Sequence, residues 1–154
     1  MKVITTEDGK WAYTCDDTDA NDGDDIDKPV KDTVKKWCVN TGVLVQSIER
    51  VHKAETFSFL SSKDSRFWFL CDMKGNMEQW SVGKSVQAED VLVKIYPKLH
   101  DRGINCLEIS YDNKYLFTGD CKGNVKQWTF DEKGLYLKMD FGFVHDDKIT
   151  AIVT

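Results

Sequence analysis

The sequence has no long apolar run; the longest extends only from Phe67 to Cys71. A membrane-spanning helix needs roughly 18 consecutive apolar residues, so none is expected. The opening MKVITTEDGK lacks the apolar core of a signal peptide. A soluble, intracellular protein is therefore expected, cytoplasmic with nuclear residence left open. Five cysteines (Cys15, Cys38, Cys71, Cys106, Cys121) form no C-x-x-C pair and are odd in number, which argues against a disulfide framework and against a zinc site. Basic stripes are absent too. The net charge is −5, but residues 16–27 (DDTDANDGDDID) hold seven aspartates and no basic residue, which leaves +2 for the rest. Nothing here suits a nucleic-acid surface. There is no G-x-S-x-G, no phosphate-cradling glycine loop and no isolated pair of carboxylates outside the acidic run, so neither catalysis nor a cofactor is expected. No window of ten or more residues shows the three-to-four spacing of an amphipathic helix.

What is present is repetition. DMKGNMEQW (72–80) returns as DCKGNVKQW (120–128), 48 positions on with six of nine letters unchanged. The match extends outward, since SSKDSRFWFLCDMKGNMEQW aligns without a gap on ISYDNKYLFTGDCKGNVKQW, and His52 and His100 each stand 28 residues before Trp80 and Trp128. A fixed block length marks a folded register. A third copy appears as EDGKWAYTCD (7–16) and VKKW (34–37), separated by thirteen extra residues that are essentially the acidic run. His145 then opens HDDKITAIVT as His100 opens HDRGINCLEI, so all three histidines hold one repeat position.

Each repeat reads as four short strands. TFSFL and INCLEI supply the first; WAYTC, FWFLC and YLFTG the second; the segments ending in Trp37, Trp80 and Trp128 the third; VLVQSI, VLVKIY and LYLKM the fourth. EDGK, KDSR and YDNK carry turn residues before the second strand, and DMKGN and DCKGN carry a glycine after it. The aromatics Trp11, Phe67, Trp68, Phe69, Tyr115 and Phe117 fall on strand faces and are expected in the core.

Four antiparallel strands recurring every 40 to 50 residues, with the G-N-x-x-Q-W ending and the fixed His-to-Trp spacing, resemble the WD-repeat (WD40-type) β-propeller family over essentially the whole chain. The resemblance implies an all-β fold of four-stranded antiparallel blades: blade one at 1–50 with the acidic insert at 16–31, blade two at 51–98, blade three at 99–143 and the first strand of a next blade at 144–154. It also implies a structural network of His, hydroxyl, Asp and Trp, to which His52, His100, His145, Thr118, Trp37, Trp80 and Trp128 are assigned. The sequence departs from the family pattern: Cys38, Ser81 and Thr129 follow the tryptophans, and Val51, Leu99 and Val144 precede the histidines. As aligned, the Asp position falls on Lys122 and Lys74, with Leu70 replacing the hydroxyl, so a complete network is expected in neither blade two nor blade three. Met1 aligns with Asn105 and Thr154 with Ile109. Three blades make an arc, whose closure would need either further blades of a longer propeller or assembly with another chain.

The function implied is that of a non-catalytic scaffold or adaptor that binds other proteins, including basic segments. The expected contact residues are Lys53, Asp101, Arg102, Asp146 and Asp147 beside the histidine loops, with Asp17, Asp19, Asp22, Asp24 and Asp25 in the acidic loop. One alternative is a weak calcium loop using Asp17, Asp19 and Asn21; it departs from the calcium-loop template because Asp22 takes the glycine place and Lys28 the place of the bidentate Glu. Another is a piece of a propeller enzyme whose catalytic residues lie elsewhere. If the acidic run is a solvated hairpin tip between second and third strands, deleting residues 17–28 leaves a cooperative thermal transition and weakens binding of basic partners; loss of folding by circular dichroism contradicts the loop assignment.

Overall fold

The computed structural model describes residues 2–15, 33–50 and 54–154. Among these, twelve strands form three four-stranded antiparallel meanders in which consecutive strands pair. Blade one contains β1 (Lys2–Thr5), β2 (Trp11–Cys15), β3 (Thr33–Cys38) and β4 (Leu44–Glu49); blade two contains β5 (Thr56–Ser61), β6 (Phe67–Asp72), β7 (Met77–Ser81) and β8 (Val91–Tyr96). Blade three contains β9 (Ile104–Ile109), β10 (Tyr115–Asp120), β11 (Asn124–Asp131) and β12 (Gly134–Phe143). The first strands β1, β5 and β9 lie beside one another, so the sheets stack in chain order around a common inner side. No helix of the described residues is long and apolar enough to cross a membrane.

Local chemistry repeats with the sequence. Each first turn is built on a Ser/Thr-x-Asp pair in which the hydroxyl donates to the carboxylate at 2.6 Å: Thr6 to Asp8, Ser62 to Asp64 and Ser110 to Asp112. The hydroxyl oxygen then accepts the N–H that begins the second strand, from Trp11, Phe67 and Tyr115. These side chains satisfy turn donors that the ladder leaves free. At the tip, Ser65 and Asn113 adopt positive φ (58° and 60°), and each caps the preceding blade: Ser65 Oγ accepts Asp8 N–H and Asn113 Oδ1 accepts Lys63 N–H.

Side-chain alternation along the central strand explains its composition. In β6, Trp68 and Leu70 face a core shared with Trp11, Tyr13 and Val34 of blade one, while Phe67, Phe69 and Cys71 face one shared with Ile104, Leu107 and Leu116 of blade three. A strand covered on both faces reads as an unbroken apolar run, and FWFLC is that run. Trp68 stacks on Trp80 at 5.1 Å, and Phe130 meets Phe67 and Phe69 edge-on.

The first junction also buries a charge pair. Lys36 on β3 meets Asp90, in the loop before β8, at 2.6 Å with both side chains excluded from water. Asp90 accepts three further bonds, from Tyr13 O–H (2.7 Å), Trp68 Nε1–H (2.8 Å) and Gly83 N–H (2.8 Å), while Lys36 also donates to the Gly83 carbonyl (3.0 Å) and lies over the Trp11 ring. Gln46 clamps the Asp90 backbone by accepting its N–H at 2.8 Å. Burial, reinforced by the Asp90 charge, pushes the Tyr13 phenol far up, so it stays a donor.

Residues 144–154 pair with no strand among the described residues, but their first part is seated on blade three as the corresponding part of the chain is seated on blade two. His145 N–H points to the Gly123 carbonyl as His100 N–H points to that of Gly75, and Ile149 is buried against Gly119 and Cys106.

Removing one partner of a buried pair strands the other. Asp90→Ala leaves the Lys36 ammonium with a single carbonyl and is expected to lower unfolding free energy by ~3–5 kcal/mol. Lys36→Met leaves Asp90 its three neutral donors and costs less. Urea denaturation of both variants checks this order, and equal or reversed losses contradict the assignment.

Candidate interaction face

The loops leading into the blades converge on one side of the molecule, and His100 organises the best-formed of them. Its Nδ1 lies 3.0 Å from Asp120 Oδ2 and its Nε2 lies 2.6 Å from Thr118 Oγ1; Trp128 Nε1–H donates to the same hydroxyl oxygen at 3.0 Å. One proton arrangement satisfies every atom: Nδ1–H donates to the carboxylate, the Thr118 O–H donates to Nε2, and the hydroxyl oxygen accepts the indole N–H. All four side chains are buried. A complete network therefore forms in blade three, contrary to the expectation from the sequence, because the carboxylate comes from Asp120 at the end of β10 and not from position 122. Lys122 is exposed and only its N–H takes part, donating to Asp120 Oδ1 at 2.8 Å.

The repeated nonapeptide is the mount for this carboxylate. Asp120 also accepts Asn124 N–H and Asn124 Nδ2–H, both at 2.9 Å, and Asp72 accepts the same pair from Asn76 at 3.0 and 2.8 Å. Between Asp and Asn sits a glycine at positive φ (81° for Gly75, 86° for Gly123). A Cβ there would lie 2.1 Å from the His100 carbonyl oxygen or 1.8 Å from that of His145. Only glycine allows both the conformation and the approach.

The other blades depart from this pattern. In blade two Leu70 stands where blade three has Thr118, and Trp80 Nε1–H donates instead to the buried carboxylate of Glu78 at 3.0 Å. In blade one Trp37 Nε1–H donates to Thr14 Oγ1 at 3.0 Å. The His145 side chain is exposed and its ring makes no hydrogen bond among the described residues.

Around these loops lie the charges singled out from the sequence: Asp101, Arg102, Asp146 and Asp147 are all exposed. His52, Lys53, Asp17, Asp19, Asn21, Asp22, Asp24 and Asp25 lie outside the described residues. Between the loops opens a cleft of about 600 Å³ lined by Phe57, Met73, Asn105, Cys121, Lys148 and Thr150. Phe57, Asn105 and Thr150 hold one repeat position, as do Met73 and Cys121, so the cleft arises where equivalent residues of successive repeats turn towards a common axis. No three His, Cys, Asp or Glu side chains among the described residues converge as a metal site.

Sequence reasoning missed Asp120, Glu78 and the Lys36–Asp90 pair. A signal for the last existed: Lys36 occupies the place held by Gln79 and Gln127 in the other copies. Gln79 Nε2–H donates across the second junction to the Asp131 carbonyl at 2.8 Å, so this place reaches for the third-to-fourth strand loop of the next blade. A lysine there calls for an acid in that loop, and Asp90 supplies it.

No family profile matches the chain, and no curated protein matches it in sequence. Solved structures resemble it in fold. The WD40 repeats of RRP9 give a TM-score of 0.69 at 15% identity, over 95% of this chain and 39% of that one. A candidate 6-phosphogluconolactonase from Bacteroides uniformis gives 0.66 at 16% identity, over 90% and 38%. The chain thus spans about two fifths of the length of these structures. The likeness is one of fold: three propeller blades with no ring closed.

Burial disfavours the imidazolium and holds His100 below its ordinary 6.5, against the pull of Asp120. Burial pushes the Asp120 carboxyl up, but the Asn124 and Lys122 donors and His100 together bring it below its ordinary 3.8. Both groups bind fewer protons folded than unfolded, so their contribution is whole above pH 6.5, declines as pH falls below 6.5 with His100, and declines again below 3.8 with Asp120. Urea midpoints measured against pH are expected to fall in these two steps, and His100→Gln to remove the upper one; a flat profile through 6.5 contradicts a neutral buried His100.

Proposed function

We propose that this chain is a non-catalytic protein-interaction module of WD-repeat type, working in the cytoplasm, which presents the histidine-loop face to partner proteins. The observation that carries this reading is the cleft at that face. It has an apolar floor in Phe57 and Met73, and exposed Asp101, Arg102, Asp146 and Asp147 belong to the loops beside it. A concave apolar patch with charged surroundings suits a peptide segment that inserts one apolar anchor and pairs charges around it.

The frame beneath it favours binding over conformational work. Asp120 and Thr118, itself held by Trp128, fix the His100 ring, and the Gly75 carbonyl accepts the His100 N–H, so Asp101 and Arg102 project from a pre-organised loop. Pre-organisation lowers the entropy cost of association. The segment between β2 and β3 contains the acidic run at 16–27, so the preferred partner is a basic segment bearing an aromatic or aliphatic anchor.

Fluorescence anisotropy with a lysine- and arginine-rich peptide carrying one tryptophan tests this reading. Met73→Asp, on an exposed side chain in the cleft, is expected to weaken binding about tenfold, ~1.4 kcal/mol. Lys84→Ala, on a loop away from the cleft, leaves it unchanged. Equal binding by Met73→Asp and the unaltered protein rejects the cleft as the contact surface.

A further inference from the structure

The Lys36–Asp90 contact holds an amine against a carboxyl where the usual obstacles to their condensation are small. In water the two groups stay apart as hydrated ions, and the solvent opposes amide formation. Here both side chains are wholly excluded from water and Nζ lies 2.6 Å from Oδ1. Burial penalises charge, so moving one proton across this contact, which turns the ion pair into an amine and a carboxylic acid, costs less than it would in water. The lysine contacts with Asp8, Asp112 and Asp140 are longer (3.9, 3.6 and 3.9 Å) and open to solvent.

The groups around the pair suit an acyl transfer. Asp90 Oδ2 accepts Tyr13 O–H at 2.7 Å and Trp68 Nε1–H at 2.8 Å, two neutral donors from different blades directed at one oxygen. Fixed donors so placed stabilise negative charge that develops there in a tetrahedral intermediate. The nucleophile is held from the other side, since Lys36 Nζ donates to the Gly83 carbonyl at 3.0 Å and lies 4.2 Å from the centre of the Trp11 ring. Gln46 grips the main chain of Asp90 at both its N–H (2.8 Å) and its carbonyl (3.3 Å). Neither reacting group is free to turn away, and such orientation removes much of the entropy barrier to bond formation.

We infer that Lys36 and Asp90 form a site of self-modification, at which the folded chain condenses Lys36 Nζ with Asp90 Cγ into an isopeptide bond tying blade one to blade two. Lys36 gives a proton to Oδ1, the freed lone pair attacks Cγ, and the intermediate carries its charge on Oδ2 against Tyr13 and Trp68. A second proton passes from nitrogen to Oδ1, the Cγ–Oδ1 bond breaks, and one water leaves. The hydrogens of the ammonium end on the amide nitrogen and the water, and no co-reactant is consumed. The ion pair is the reactant, so the linked fraction grows with the age of the folded protein. Hydrolysis would need water inside a contact that excludes it, so the bond accumulates once formed.

Intact-mass spectrometry of the full chain, denatured after increasing times of incubation, tests the proposal. A species lighter by one water molecule is expected to accumulate. Trypsin should release from it a branched peptide joining residues 36–50 to residues 85–94, because an acylated Lys36 is no longer cut. Lys36→Arg keeps a cation beside Asp90 without an amine nucleophile and should abolish both signals. Tyr13→Phe removes one of the two donors on Oδ2 and should slow the accumulation about a hundredfold; an unchanged rate overturns the mechanism. A chain of full mass at every time overturns the site itself, and the unaltered protein alone decides that, whether or not a variant folds. So does a water-loss species with unbranched tryptic peptides, the product of Asp90 closing on the Val91 nitrogen as a succinimide.

Discussion

Asp90 holds a negative charge where water does not reach, and the order of blades one and two depends on how that charge is met. A carboxylate in such a place costs several kcal/mol unless it is paired and its lone pairs are bonded. Here Lys36 and Tyr13 come from blade one, Trp68 and Gly83 from blade two, so neither blade alone satisfies the group. The apolar contacts around it would tolerate small slides of one sheet over the other; the five-residue cluster would not. The junction therefore has one register.

The second junction reaches the same end with neutral chemistry. Gln79 takes the place of Lys36 and donates to the Asp131 carbonyl where Lys36 meets a carboxylate, while its own side-chain oxygen accepts the Tyr96 O–H. Tyr96 also accepts the Leu135 N–H, which ties the outer strand of blade two to that of blade three. On the inner side the loop entering blade three passes close over the turn at Gly75, as the segment after β12 passes over Gly123. Between these lines of contact the packed side chains differ: Trp11, Tyr13, Phe59, Trp68 and Trp80 in one junction, Phe67, Phe69, Met77 and Trp128 with aliphatic residues in the other.

Much of this was legible in the letters because a repeat makes each copy a check on the others. The strands, their order and the glycine turn follow from DMKGNMEQW and DCKGNVKQW with their flanks, since turn residues and alternating apolar positions are local features. The carboxylate of the histidine network was misplaced by two residues, from Asp120 to Lys122, because position 120 was read only as part of the glycine turn after the second strand. What identifies Asp120 is that its two oxygens serve Asn124 and His100 at once, a convergence 20 residues apart in sequence. The Lys36–Asp90 pair was hidden for a similar reason: 54 positions separate its members, and only the fold brings them together. Glu78 could have been found from Leu70, since the loss of a hydroxyl beside a buried indole requires another acceptor.

The contact between Gly75 and the His100 carbonyl, repeated by Gly123 and His145, joins main chain to main chain. No side chain lies between, so the spacing of one blade from the next is a main-chain dimension that drift in the cores leaves untouched. The pitch of the array is thus held separately from its filling. A chain built this way can exchange a charged junction for a neutral one, or carry thirteen more residues between two strands of one blade, and still count its blades at the same interval.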